Sequence, residues 1–155
     1  MVNNYNKLKI KYKLPELNKL KEMLEIELKA DQDAVLLLQS IRNDISERLF
    51  DMTKILESIL FTGEGSDAGL LYQENMIKNV SKEGVDVYKI LNELHFAGLK
   101  LRFIHDRKKD ADYIKRVFKI WPSLENGLAE FFEALENGWK ELDIEKEMKP
   151  ENYHG

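Results

Sequence analysis

Apolar side chains recur every three or four residues through three long stretches of the chain, residues 33–61, 67–106 and 110–142. In each stretch they fall on two positions of a repeating heptad, the pattern of a helix that buries one face against other helices. In the first stretch these positions hold Val35, Arg42, Leu49 and Leu56, and Leu38, Ile45, Met52 and Ile59. In the second they hold Leu70, Ile77, Gly84, Leu91, Gly98 and His105, and Gln73, Val80, Val87, Leu94 and Leu101. In the third they hold Ile114, Trp121, Leu128, Leu135 and Leu142, and Val117, Leu124, Phe131 and Gly138. The spacing therefore predicts three long helices.

Short breaks separate the predicted helices. Residues 63–65 (GEG) end the first helix, and residues 107–109 (RKK) separate the second from the third. Pro122 lies inside the third helix, where its missing backbone N–H predicts a kink, although the heptad continues through it. Long helices joined by short turns pack as antiparallel neighbours. The predicted fold class is all-α, an antiparallel bundle of three long helices.

The N-terminal segment has a different pattern. Lysine alternates with apolar residues through residues 7–14 (KLKIKYKL), which is the period of an extended, strand-like chain. Pro15 suits the first turn of a helix, and leucines at helical spacing follow it to about Ala30. We therefore predict an extended basic arm at 1–14, and a bundle domain at 15–143 that begins with a short N-terminal helix. Residues 144–155 are predicted to form a mobile tail.

Composition supports a folded helical chain and narrows its setting. The 155 residues contain 8 Gly and 3 Pro, and few breaking residues favour long helices. There is no Cys, which excludes disulfides and thiolate chemistry. The sequence has no apolar run long enough for a membrane span and no signal peptide, so we predict a cytoplasmic protein. Residues 1–21 hold six Lys and one Glu, whereas the whole chain has a net charge of −4. An acidic body with one basic arm makes nucleic-acid binding unlikely.

Arg42 occupies a core heptad position, where an unpaired charge is costly. If the helices are aligned by their turns, Arg42 lies level with Glu83 and Asp86. We therefore predict a structural polar pair, Arg42 with Glu83 or Asp86. The alternative is that the Arg42 side chain extends along the bundle to reach solvent.

A second alignment places His95 level with Trp121 and with the residues around Asp33. A histidine, an indole, a carboxylate and the nearby Gly98 at one level suggest a ligand-binding pocket at His95, Trp121 and Asp33. The competing interpretation is structural, because a tryptophan at a heptad position is usually core and a glycine lets two helices approach closely.

The same alignment leaves about ten residues of the second and third helices beyond the end of the first. This end carries Leu99, Leu101, Phe103, Ile104, Ile114, Val117, Phe118 and Ile120. Such an apolar surface needs a cover. The candidates are the short helix, the N-terminal arm, or a second copy of the chain, and we expect a homodimer.

No catalytic residue, metal site or cofactor is predicted. His95 and His105 are ten residues apart, roughly 15 Å along a helix, too far for one metal ion. The sequence has neither a Gly-x-Ser-x-Gly motif nor a Gly-rich phosphate loop. The favoured function is a non-enzymatic helical bundle acting through protein contacts or self-association. The alternatives are a small-ligand or enzymatic site near His95 and Trp121, and DNA contact through the basic N-terminal arm.

Overall fold

A computed structural model describes residues 2–27, 33–60 and 67–147, with side chains at 4–27, 33, 36–60 and 84–137. These residues form helices and short connections, with no strand in the described ranges. The helices are α1 (Val2–Tyr12), α2 (Leu17–Leu24), α3 (Ala34–Leu60), α4 (Asp67–Leu101) and α5 (Arg107–Glu147). The predicted all-α class is therefore confirmed.

The predicted long helices correspond to α3, α4 and α5. Helix α3 differs from the prediction by one residue at each end. Helix α4 ends five residues early, at Leu101, where backbone bonds three residues apart tighten the chain. Asp106 then caps α5, since its Oδ1 accepts hydrogen bonds from the backbone N–H groups of Lys108 (2.9 Å) and Lys109 (3.4 Å). Pro122 lies inside α5, which runs through residues 144–147 of the predicted tail. The remainder of that tail, residues 148–155, lies outside the described residues.

The heptad positions with described side chains supply most of the core. Those buried are Leu38, Arg42, Ile45, Leu49, Leu56, Gly84, Val87, Leu91, Leu94, Gly98, Leu101, Ile114, Val117, Trp121, Leu124, Phe131 and Leu135. Met52, Ile59 and Leu128 are partly buried against them. The heptad residues Val35, Leu70, Gln73, Ile77, Val80, Gly138 and Leu142 lie outside the described side chains. Helix α3 packs on α4, α4 packs on α5, and α3 also contacts α5, so these helices form a bundle.

The prediction of an extended N-terminal arm is wrong, because residues 2–12 form helix α1. The segment contains a helical spacing as well as an alternating one. Tyr5, Leu8 and Tyr12 recur at intervals of three and four, and they face the bundle, whereas Ile10 is 80% exposed. Burial of one helical face on the rest of the protein outweighs a short period-two pattern. Helix α1 contacts both α3 and α5.

The N-terminal region contributes apolar side chains to the core. Its buried side chains are Tyr5, Leu8, Leu14, Leu20, Leu24 and Ile26. The Tyr5 hydroxyl donates a hydrogen bond to the carbonyl of Pro15 (2.5 Å), which fixes the turn between α1 and α2. Lys9 and Glu16 form an ion pair across the same turn. The N-terminal residues are thus part of the fold.

The predicted alignment of α3 with α4 is wrong by about two heptads. Arg42 lies against Leu101 rather than against residues 83–86, and Gln39 contacts His105 (3.3 Å between Nε2 and Nδ1). The α4–α5 connection therefore lies beside α3, and the predicted overshoot of α4 and α5 at this end does not occur. Leu101, Ile114 and Val117 are buried there, whereas Phe103 is 85% exposed.

In the part of the chain that the structure describes, no helix is both long enough and apolar enough to cross a membrane.

Candidate functional site

Arg42 lies at the centre of a buried polar cluster joining three helices. Its side chain is 4% exposed, and its Nη1 donates to Oδ1 of Asp110 (2.8 Å) and to the carbonyl of Leu101 (2.7 Å). Its Nη2 donates to Oδ1 of Asn43 (3.0 Å). The predicted pairing of Arg42 with Glu83 or Asp86 is therefore corrected to Asp110. Asp86 is exposed, and the side chain of Glu83 lies outside those described.

The partners of Arg42 explain its position. Leu101 is the last residue of α4, where backbone carbonyls lack partners within the helix. Asp110 lies in the first turn of α5, where the helix dipole favours a negative charge. One guanidinium therefore joins the end of α4 to the start of α5 and holds both against α3. Burial raises the pKa of the Asp110 carboxyl, and the adjacent Arg42 opposes this increase.

A second group of polar side chains surrounds Gly98. The Tyr113 hydroxyl donates to the carbonyl of Leu94 (3.1 Å), and burial raises the pKa of Tyr113. A Cβ atom at position 98 would lie 2.8 Å from both the Ser46 Oγ and the Tyr113 hydroxyl. Glycine is thus required here for the close approach of α3, α4 and α5, as the structural interpretation of Gly98 predicted.

Two buried atoms of the Arg42 cluster, Arg42 Nε and Asp110 Oδ2, lack a hydrogen-bond partner among the described residues. Arg42, Ser46 and Asp110 are 3%, 1% and 1% exposed, so solvent and substrates do not reach them in this conformation. The Arg42–Asp110 pair and its neighbours therefore connect α3, α4 and α5 inside the core.

Three aromatic residues form an exposed patch beside the buried polar side chains around Gly98. They are Phe50 of α3 and His95 and Phe96 of α4, and they are called the aromatic patch below. The His95 ring is 4.9 Å from that of Phe50 and 5.9 Å from that of Phe96, between centroids. Phe50 is 41% exposed and Phe96 is 56% exposed. Lys54 lies over the Phe50 ring, with its Nζ 5.3 Å from the centroid. Burial lowers the pKa of His95, and the positive charge of Arg102 lowers it further. A hydrogen bond with the Ser46 backbone acts in the opposite direction.

The structure does not bring together the predicted pocket residues His95, Trp121 and Asp33. His95 packs on Phe50, which is seventeen residues after Asp33, or roughly 25 Å along α3. Trp121 is 3% exposed, and its indole N–H donates to Oε1 of Glu125 (2.6 Å). Trp121 is therefore a core residue with a satisfied polar atom.

Neither His95 nor Trp121 lines either of two surface clefts formed by described residues. One, of about 680 Å³, lies between α4 and α5. Its lining comprises Lys89, Ile90, Asn92, Glu93, Phe96, Ala97, Lys100 and Arg116. The other, of about 360 Å³, is polar and lies along the first half of α3 near Glu27. Among the described residues, no three His, Asp or Glu side chains lie close enough together to bind a metal ion.

The sequence interpretation missed Asp110, Tyr113, Phe50 and Arg116 as members of these sites. Asp110 and Tyr113 could have been found from the turn-based alignment only if its register had been correct. Phe50 has a clearer signal, since it falls outside the predicted heptad positions of a helix whose apolar stripe is otherwise regular. A large aromatic residue on the polar side of a helix is a candidate for a contact surface.

Comparisons with protein-family models, with curated proteins and with solved structures found no match to this chain.

Proposed function

We propose that this protein is a non-enzymatic, antiparallel helical bundle that acts through protein contacts, first of all by self-association as a homodimer. Packing contacts support the antiparallel arrangement. Gly98 lies against Ser46 and Tyr113, whereas Gly84, earlier in α4, lies against Leu60 and Phe131, later in α3 and α5. Residue numbers therefore fall along α4 as they rise along its neighbours.

A role without catalysis is favoured by how the polar side chains are used. Arg42 and Asp110 are almost fully buried and bonded to each other. A buried ion pair commonly specifies one arrangement of helices among several of similar packing energy. The predicted non-enzymatic role remains a proposal, and so does cytoplasmic residence.

The observation that carries the proposal is the aromatic patch. Three neighbouring rings contributed by two helices remain partly open to solvent. Aromatic side chains are enriched at protein interfaces, where they bury large areas. The charged residues beside the patch are Lys54, which lies over the Phe50 ring, and Arg102, which acts on His95 and pairs with Glu47. Because both signs of charge are present, a two-fold contact can pair them between the two copies.

Sedimentation equilibrium at tens of micromolar tests the homodimer. We expect a mass of twice the 18.2 kDa monomer for the wild type, and the monomer mass for Phe96→Glu and Phe50→Glu. Phe103→Glu is the matched control, because Phe103 is more exposed and lies in the α4–α5 connection outside the patch. Circular dichroism must show that each variant is folded. A monomeric wild type would refute self-association, and a monomeric Phe103→Glu with dimeric patch variants would place the contact at the α4–α5 connection instead of the patch.

No observation among the described residues specifically supports either alternative function, the ligand or enzymatic site near His95 and Trp121 or DNA contact through the N-terminal arm. The pocket near His95 and Trp121 lacks the predicted assembly of residues. DNA contact was predicted through an extended basic arm, and residues 2–12 form helix α1, with Tyr5 and Leu8 buried in the protein, instead.

A further inference from the structure

The cleft between α4 and α5 has a local charge opposite to that of the protein. Its lining holds three cations, Lys89, Lys100 and Arg116, and one carboxylate, Glu93, whereas the chain as a whole has a net charge of −4. No ion pair joins any of these cations to a carboxylate of the described residues. Their donors are therefore available to a ligand.

Two helices supply the cationic part of the cleft. Gly98 of α4 lies against Tyr113 of α5, and residue numbers fall along α4 as they rise along α5, so Lys100 and Arg116 are offset by about 7–8 Å along the bundle axis. Cations from two packed helices are held at a spacing set by the bundle. An anionic group placed between them would meet both charges together, which raises its affinity above that for an isolated surface lysine.

The same cleft has an apolar part. Ile90 is 38% exposed, Phe96 is 56% exposed, and the half-buried Ala97 lies near them on α4. The cleft is open to solvent, and its volume of about 680 Å³ is large enough for a small organic molecule. The combination favours a ligand with an apolar body and a negative group.

We infer that the α4–α5 cleft binds a small amphipathic anion, with Lys100 and Arg116 at the anionic group and Ile90, Phe96 and Ala97 at the apolar body. Lys89 and Asn92 lie at the far end of the lining and contribute polar contacts. Glu93 opposes the ligand charge and weakens binding. This site does not depend on the proposed self-association, although Phe96 belongs to both surfaces.

Two fluorescent probes with the same rings test the site in the full chain. The first, 8-anilinonaphthalene-1-sulfonate, carries a negative group, and the second, N-phenyl-1-naphthylamine, is neutral. We expect one saturable site for the sulfonate. Arg116→Ala and Lys100→Ala should each raise its Kd by up to about fivefold, the factor that corresponds to one exposed charge pair. The same substitutions should change the Kd of the neutral probe by less than about twofold.

Glu93→Gln provides a change of opposite sign, since removing the carboxylate should lower the Kd of the sulfonate. Lys108→Ala is the control, because Lys108 is exposed in the first turn of α5 and lies outside the cleft. Circular dichroism confirms that each variant is folded. The inference is overturned if the sulfonate does not bind saturably, if both cation variants leave its Kd unchanged, or if they weaken the two probes equally.

Discussion

The buried pair of Arg42 and Asp110 should make an unusually large contribution to the free energy of unfolding. Asp110→Leu leaves a guanidinium that is 4% exposed without its carboxylate, and Arg42→Met leaves the buried carboxylate without its donor. Removing one partner of a buried ion pair costs about 3–5 kcal/mol. For a chain of this length that corresponds to a decrease in Tm of roughly 10–15 °C.

The double substitution Arg42→Met with Asp110→Leu separates pairing from burial. It removes both charges and one of the two hydrogen bonds to the Leu101 carbonyl, since the Ile104 N–H still donates to that oxygen (3.3 Å), and the loss of one hydrogen bond costs about 0.5–1.5 kcal/mol. The double variant should therefore be more stable than either single variant, with a coupling energy above about 3 kcal/mol. Urea unfolding of the four proteins in one buffer measures this cycle.

Arg48 provides a matched control. It pairs with Glu25 at 2.8 Å, the same distance as the buried pair, but its side chain is 38% exposed and that of Glu25 is 72% exposed. Arg48→Met should cost less than about 1 kcal/mol. If the single substitutions at Arg42 and Asp110 also cost less than about 1 kcal/mol, or if their effects simply add, then the pair is hydrated and does not hold α3 against the α4–α5 connection.

Two further predictions concern the core and the patch. Leu49→Ala, Leu91→Ala and Phe131→Ala should each lower the free energy of unfolding by about 2–5 kcal/mol, because all three residues are 0% exposed. Urea unfolding measures this change, and values below about 0.5 kcal/mol would contradict the packing. The lowered pKa of His95 means that the unfolded chain binds a proton more readily, so stability should fall as the pH decreases from about 7.5 to 5.5, below the usual histidine pKa. His95→Gln should reduce this pH dependence, and a His95→Gln variant with the pH dependence of the wild type would exclude His95 as the source.

The amphipathic spacing of α3, α4 and α5 could be predicted from the sequence because it is a property of each helix alone. Residues at intervals of three and four lie on one face wherever the helix is placed, and Leu49, Leu91 and Phe131 are buried as that rule requires. The close approach at Gly98 was also recognisable, since a glycine at a heptad position removes the side chain between two helices.

The relative position of the helices required the tertiary structure. A heptad pattern repeats every seven residues, so a helix can slide along its neighbour by one or two heptads and bury the same side chains. The turn-based alignment placed Arg42 beside residues 83–86, whereas the folded chain places it beside Leu101 and Asp110, roughly 25 Å farther along α4. That displacement decided the partner of Arg42, removed the predicted overshoot and placed His95 on Phe50 rather than near Asp33.

The N-terminal residues show the same dependence on context at the level of secondary structure. Residues 5–12 satisfy a period of two through Leu8, Ile10 and Tyr12, and a helical period through Tyr5, Leu8 and Tyr12. A segment this short cannot choose between the two by propensity alone, because the energy differences between its conformations are small. The surface offered by α3 and α5 decided the outcome, since it buries Tyr5 and Leu8 and leaves Ile10 exposed.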